Sequence, residues 1–301
     1  MGKSSRRRQE QRLSGRPRPT TAPPAFVRRP FAGLPGEPDW VAMREVVPAA
    51  TAVVDLAQAY RRPAGDRPAI EQVTVATVLP MAWPALHRAD GTVYVGLQTA
   101  SGSGDPSRDV AAALLQALDA EPGTPVPPGE LPGEGPRLQD VLDHGRPLAV
   151  EVHEGFEFWV DDPASLDAQS RESLERANAS AVPTERLTSV EAAYWCRIGD
   201  RTHLRWAMPH DEDALLDAIA RLHAAGQSGL GDGSRYIGAF RALGLLVPVW
   251  DLPTGSTAAD AEEPAAAFAE RLAQALQRKE SLTYEERRAR AGVVSRQLTL
   301  R

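Results

Sequence analysis

The chain has 301 residues, 42% of them apolar, enough to bury a core in one large domain or two modest ones. Its one cysteine, Cys196, excludes an internal disulfide and a cysteine-based zinc cluster, and it fits a reducing cytoplasm. No apolar run approaches the roughly 20 residues of a membrane-spanning helix, and the basic N-terminus lacks the apolar stretch of an export signal, so a cytoplasmic location without membrane contact is expected.

The net charge of −6 hides a segregation: residues 1–29 carry +8, residues 278–301 carry +4, and the 248 residues between them hold −18. A basic tail on an acidic body points to an anionic partner for the tail or to screening of the body. The tail reads as a disordered arm of Ser, Arg, Gln and Pro with little to bury. Its cations Lys3, Arg6, Arg7, Arg8, Arg12, Arg16 and Arg18 suit the phosphates of RNA, of the ribosome or of DNA by counterion release. No aromatic residue precedes Phe26, so base stacking is not expected there.

Residues 31–36 are chain punctuation, with Gly33 and Gly36 free to take positive φ around Pro35. Pro38 and Asp39 open a predicted helix, with Asp39 as its cap and Trp40, Met43 and Val47 as its apolar stripe; Pro48 ends it before a strand over 49–56. The run RPFAGLPGEPDWVAMREVVPAATA resembles the N-terminal block of an uncharacterised family of actinobacterial proteins, a domain of unknown function. GLLVPVWDLP, from Gly244, and YEERRARAGVVSRQLTLR, from Tyr284, resemble later blocks of the same family, so the likeness spans nearly the whole chain. It implies no established activity and no catalytic residues. The chain has no GxxxxGK[ST] phosphate loop.

Val73, Val75 and Val78 mark a strand, and residues 86–97 a hairpin turning at Asp90 and Gly91. Pro106 opens a helix over 107–120. Six prolines and four glycines in 121–136 predict a linker or surface loop without regular structure, dividing a first half (30–120) from a second (137–277), with a basic end at 278–301. In the second half the patterns predict a short helix at 138–144, a hairpin over 148–160 turning at Glu154 and Gly155, and a polar surface helix over 165–180. A further hairpin crosses Gly199 and Asp200, and a helix opens at the acidic run Asp211, Glu212, Asp213 and ends at Gly226. Helices over 235–243, 265–277 and 280–291 follow, then an extended end over 293–300. Hairpin, proline and helix recur in loosely similar order, which points to duplicated β-hairpin–helix units in an α+β fold of antiparallel sheets.

Chemistry is sparse. Gly229 to Ser234 is glycine-rich, and Gly231, Gly233, Ser234 and Arg235 are a candidate anion site at a helix start, although the spacing is not that of a dinucleotide fingerprint. His203 and His210 beside Asp211, Glu212 and Asp213 are a second candidate cluster, but an acidic helix start needs no ligand to explain it. No HExxH, GxSxG or close histidine pair occurs, and Cys196 in mid-strand reads as a small buried residue, so no catalytic residue, metal or cofactor is expected. The reading is a non-catalytic binding or adaptor protein whose arm contacts RNA, ribosome or another anionic partner. Two alternatives stay open: an enzyme or small-ligand protein with a cleft near Gly229–Arg235 or His203–Asp213, and a protein-interaction module that binds through its acidic body.

Overall fold

A computed structural model describes residues 26–64, 67–99, 102–130, 132–161 and 166–295. The seven arm cations from Lys3 to Arg18 lie outside the described residues, as does most of the extended end expected over 293–300. The fold is α+β, as expected. In chain order it runs α1 (Glu37–Glu45), β1 (Ala50–Asp55), β2 (Arg62–Ala64), β3 (Arg67–Ile70), β4 (Gln72–Val78), β5 (Ala85–His87), β6 (Val93–Gln98), α2 (Pro106–Asp119), β7 (Thr124–Val126), α3 (Leu138–Val141) and β8 (Glu151–Val152). There follow α4 (Ala168–Ser180), β9 (Thr184–Arg186), β10 (Ala193–Ile198), β11 (Arg201–Trp206), α5 (Glu212–Ala224), β12 (Arg235–Ala242), β13 (Leu245–Asp251), α6 (Ala258–Gln277) and α7 (Tyr284–Ser295).

A first sheet has the order β7-β5-β6-β4-β1-β8 and a second the order β12-β13-β11-β10-β9, with β2 and β3 as a separate ribbon. All pairings are antiparallel except β4 with β6. Three hairpins, β5–β6, β10–β11 and β12–β13, are each followed by a helix. The stretch 121–136 is not free of regular structure, because β7 within it pairs along β5. β8 closes the opposite edge of the same sheet.

Alternation explains the layering. Val73, Val75, Val93, Val95 and Leu97 put one face of the first sheet into a core shared with Trp40, Val41 and Met43 of α1 and Val110 and Leu114 of α2. The same core reaches Tyr194, Phe240, Val247 and Val249 on one face of the second sheet. The other face, with Trp195, Leu204, Trp206 and Trp250, packs on Leu215, Leu216 and Ile219 of α5, Phe268 and Leu272 of α6, and Val293 of α7. Trp250 is fully buried, stands edge-on to Phe268 with centroids 5.1 Å apart, and donates its Nε1–H to the Ser228 carbonyl at 2.7 Å. Its ring therefore brings apolar area inside without orphaning the indole N–H.

Three local expectations change. Residues 235–242 form a strand, not a helix: Tyr236, Phe240 and Ala242 pair with Trp250, Val247 and Leu245, and a bulge falls between Tyr236 and Gly238. The apolar spacing there serves both sheet faces at once, which a helical reading mistakes for a stripe. Over 148–160 only the two residues of β8 extend; Glu157–Trp159 form a single 3-10 turn, and Phe156 stacks on Trp159 with centroids 4.6 Å apart. Asp39 does not cap α1, whose N-cap is Gly36 at φ 69°. Its carboxylate, 2% exposed, instead accepts the Tyr194 hydroxyl at 2.6 Å and Arg186 Nη2 at 2.9 Å, joining α1 to β9 and β10.

The segment leading into the body is fixed. Val27 donates its amide to the Gly104 carbonyl at 2.8 Å, Arg28 meets Glu212 at 3.4 Å, and Arg29 meets Glu37 at 2.6 Å. The predicted arm therefore reaches at most to residue 25, four short of the expected boundary. Gly244, at φ 82°, makes room for this segment: a Cβ there would lie 2.5 Å from the Arg28 carbonyl oxygen and closer still to Arg29 Cγ.

Candidate functional site

Directly opposed residues of an antiparallel pair share a face, so register alone decides which side chains meet. In the second sheet it aligns Thr184 with Cys196, Cys196 with His203, His203 with Asp251, and Asp251 with Arg235. Five residues from five strands thus form one row, on the face that carries Tyr194 and Val249 into the first core. Along β11, Arg201 and Arg205 flank His203 at alternate positions and so share that face. Arg205 lies between Tyr194 and Val249, and Arg201 lies opposite Ile198.

Asp251 is the centre of the row. Its Oδ2 accepts Arg235 Nη2–H at 3.0 Å. His203 Nδ1 comes to 2.9 Å from Oδ1, and neither of these buried atoms has another partner. Burial pushes the His203 imidazole below its ordinary pKa; Asp251 pulls it back, while Arg205 and Arg201 push it lower. His203 is therefore neutral at physiological pH. Burial pushes the Cys196 thiol up, and the nearby Arg205 only partly offsets this. Among the described residues Arg201 and Arg205 have neither an ion pair nor a hydrogen bond.

Cysteine, histidine and aspartate in a row are the residue types of a nucleophilic triad. Activation needs an accessible thiolate, however, and Cys196 is 2% exposed with its thiol form favoured. The Asp251 carboxylate contacts Arg235 and His203, while Arg201 and Arg205 stand on either side of His203 on the same strand face.

The structure redistributes the candidates expected from sequence. Gly231 and Gly233 adopt φ of 81° and 74° against Pro264 and Pro253. The Ser234 hydroxyl accepts the Leu230 amide at 2.6 Å and donates to the Gly231 carbonyl at 2.8 Å, tying the loop to itself. The loop leads into β12, so no helix N-terminus lies behind it. Arg235 alone of that group joins the row. His203 joins it too, whereas His210 to Asp213 lie beyond the far end of β11. There Asp211 caps α5 through the Ala214 amide at 3.0 Å, Glu212 holds Arg241 and Arg28, and Asp213 holds Arg290. The two candidate regions thus meet through one residue each, on Asp251.

Sequence reading missed Asp251, Arg201, Arg205 and the place of Cys196 in this row. The alternation of Arg201, His203 and Arg205 marked a polar face of β11, but nothing local said which residues stood opposite. Among the described residues no group of three or more His, Cys, Asp or Glu is placed to hold a metal ion, and no helix is long and apolar enough to cross a membrane.

No curated protein and no solved structure matches the chain. A family match covers residues 30–301, beginning just after the pinned segment and including the whole row. The chain therefore belongs to the family of unknown function DUF5926.

Proposed function

We propose that the chain is a non-catalytic, cytoplasmic binding protein whose arginine-rich segment contacts an anionic polymer, with RNA or the ribosome ahead of DNA. Charge segregation carries this reading: +8 in residues 1–29 against −18 in the 248 residues that follow to residue 277. An acidic body repels nucleic acid, so the tail's cations, not general stickiness, would supply the attraction. Arg28 and Arg29 are neutralised by Glu212 and Glu37, which leaves the seven cations from Lys3 to Arg18 for the partner. Fluorescence anisotropy with a labelled single-stranded RNA tests the proposal. Removal of residues 1–25, which spares the two pinned arginines, is expected to weaken binding by at least tenfold. Equal affinity with and without the segment would overturn it.

A second reading is a small-ligand protein using the Gly229–Arg235 and His203–Asp213 regions. The convergence of Arg235 and His203 on Asp251 favours it. A thermal-shift hit lost on Arg235→Gln would support this reading, and a hit unaffected by it would not.

A further inference from the structure

We propose that the face of β11 is a binding site for a phosphate group, gripped by Arg201 and Arg205 over His203, with Arg235 at its edge. This inference stands on the folded body and not on the arm.

Arg205 is the key observation. Other part-buried arginines of this protein are matched: Arg186 by Asp39, Arg137 by Asp105, and Arg221 by the carbonyls of Arg278 and Glu280. Arg205 is half-buried beside Tyr194 and Val249 and has no such partner among the described residues, in a body rich in carboxylates. A part-buried guanidinium without a hydrogen-bonded counter-charge is less well satisfied than its paired neighbours, and an incoming anion would complete it.

Arg201 and Arg205 are four residues apart on one strand face, about 13 Å along the backbone, with the imidazole between them. Both side chains are long enough to lean over it, and both are close enough to depress its basicity. Asp251 limits the site and also orients it, by holding Arg235 at 3.0 Å and His203 at 2.9 Å. Three guanidiniums and one carboxylate, with His203 neutral, leave a charge that matches a phosphate monoester dianion. Guanidinium forks suit phosphate oxygens in pairs, as an ammonium does not. Ile198, 44% exposed and opposite Arg201, provides an apolar neighbour for the organic part of a phosphorylated ligand. The phosphate can come from a small phosphorylated molecule or from an RNA backbone, and the experiment below separates the two.

The test is an NMR titration of the full chain with inorganic phosphate at ionic strength held constant with chloride, following the backbone amides of Arg201, His203, Arg205 and Arg235. Saturable shifts confined to these positions are expected, and Arg205→Gln should weaken the apparent affinity at least tenfold. Arg205→Lys, which keeps the charge, should retain part of the binding and controls for loss of fold. Arg241→Gln, on the same sheet but paired to Glu212, should titrate as wild type. An oligouridine that competes for these amides after the seven arm cations are changed to glutamine identifies a polynucleotide source. Failure to compete identifies a small phosphorylated ligand. Linear, non-saturating shifts, or Arg205→Gln behaving as wild type, would overturn the site. RNA binding lost on arm removal while phosphate still saturates at β11 separates this inference from the proposed function.

Discussion

Gly244→Ala measures how firmly the root of the arm is held. Gly244 sits at φ 82°, where any side chain strains the backbone, at a cost of about 1–2 kcal/mol. Its added Cβ would also fall 2.5 Å from the Arg28 carbonyl oxygen, a backbone atom that cannot rotate away. The segment must then lift, losing the bidentate Arg29–Glu37 pair and the exposed Arg28–Glu212 contact. Those together contribute about 1–2 kcal/mol, the first being partly buried and the second near zero. The expected total is about 2–4 kcal/mol. Gly91→Ala is the control, because Gly91 has φ 92° with nothing within 4 Å of the added Cβ, and should cost only the backbone part, about 1–2 kcal/mol. Urea unfolding of both variants, each in the full chain and in a chain starting at residue 30, closes the cycle. The excess for Gly244→Ala should vanish when residues 1–29 are gone. Equal penalties for the two glycines in the full chain would refute the contact, and with it the claim that residues 26–29 are part of the body.

Asp39→Ala should destabilise the fold by about 3–5 kcal/mol in the same assay, because it leaves the part-buried Arg186 unpaired; Tyr194→Phe should cost only about 1 kcal/mol, the worth of one hydrogen bond. Burial would raise the Glu262 carboxyl, but hydrogen bonds from Ser189 and Thr188 outweigh this and hold it at about 2. A depressed carboxylate stabilises above its unfolded value and loses that contribution as pH falls, so Glu262→Gln should remove part of the stability change between about pH 4.5 and pH 2. Arg205→Gln should raise the His203 pKa, read from its ring proton in an NMR titration, because one of the two cations opposing protonation is gone; an unmoved or lowered value contradicts the placement of Arg205. Cys196 should resist iodoacetamide in the folded protein and react at the rate of a free thiol once unfolded.

What was legible in the sequence was local. The turns at Asp90–Gly91 and Gly199–Asp200, the proline opening α2 and the Asp211 cap of α5 each depend on a few neighbouring residues, and each lies where its chemistry places it. Asp39 was legible as a helix-start residue, but its partners Arg186 and Tyr194 are more than 140 residues away, so its role was not. β12 was misread because a strand that buries residues on both faces mimics helical spacing, and only pairing with β13 resolves it. The row of Cys196, His203, Asp251 and Arg235 has the same origin. β10 and β11 were legible as a hairpin, yet the site exists only through a register that aligns residues up to 55 positions apart.

The salt dependence of RNA binding tests the charge-segregation account most directly. Seven cations fully engaged on a single strand give a slope of log affinity against log salt of roughly −5, and partial engagement gives proportionally less. Measured by anisotropy over a potassium chloride series, the full chain should show a steep negative slope that collapses toward zero when residues 1–25 are removed. A shallow slope in the full chain, or a steep one that survives the deletion, would contradict it.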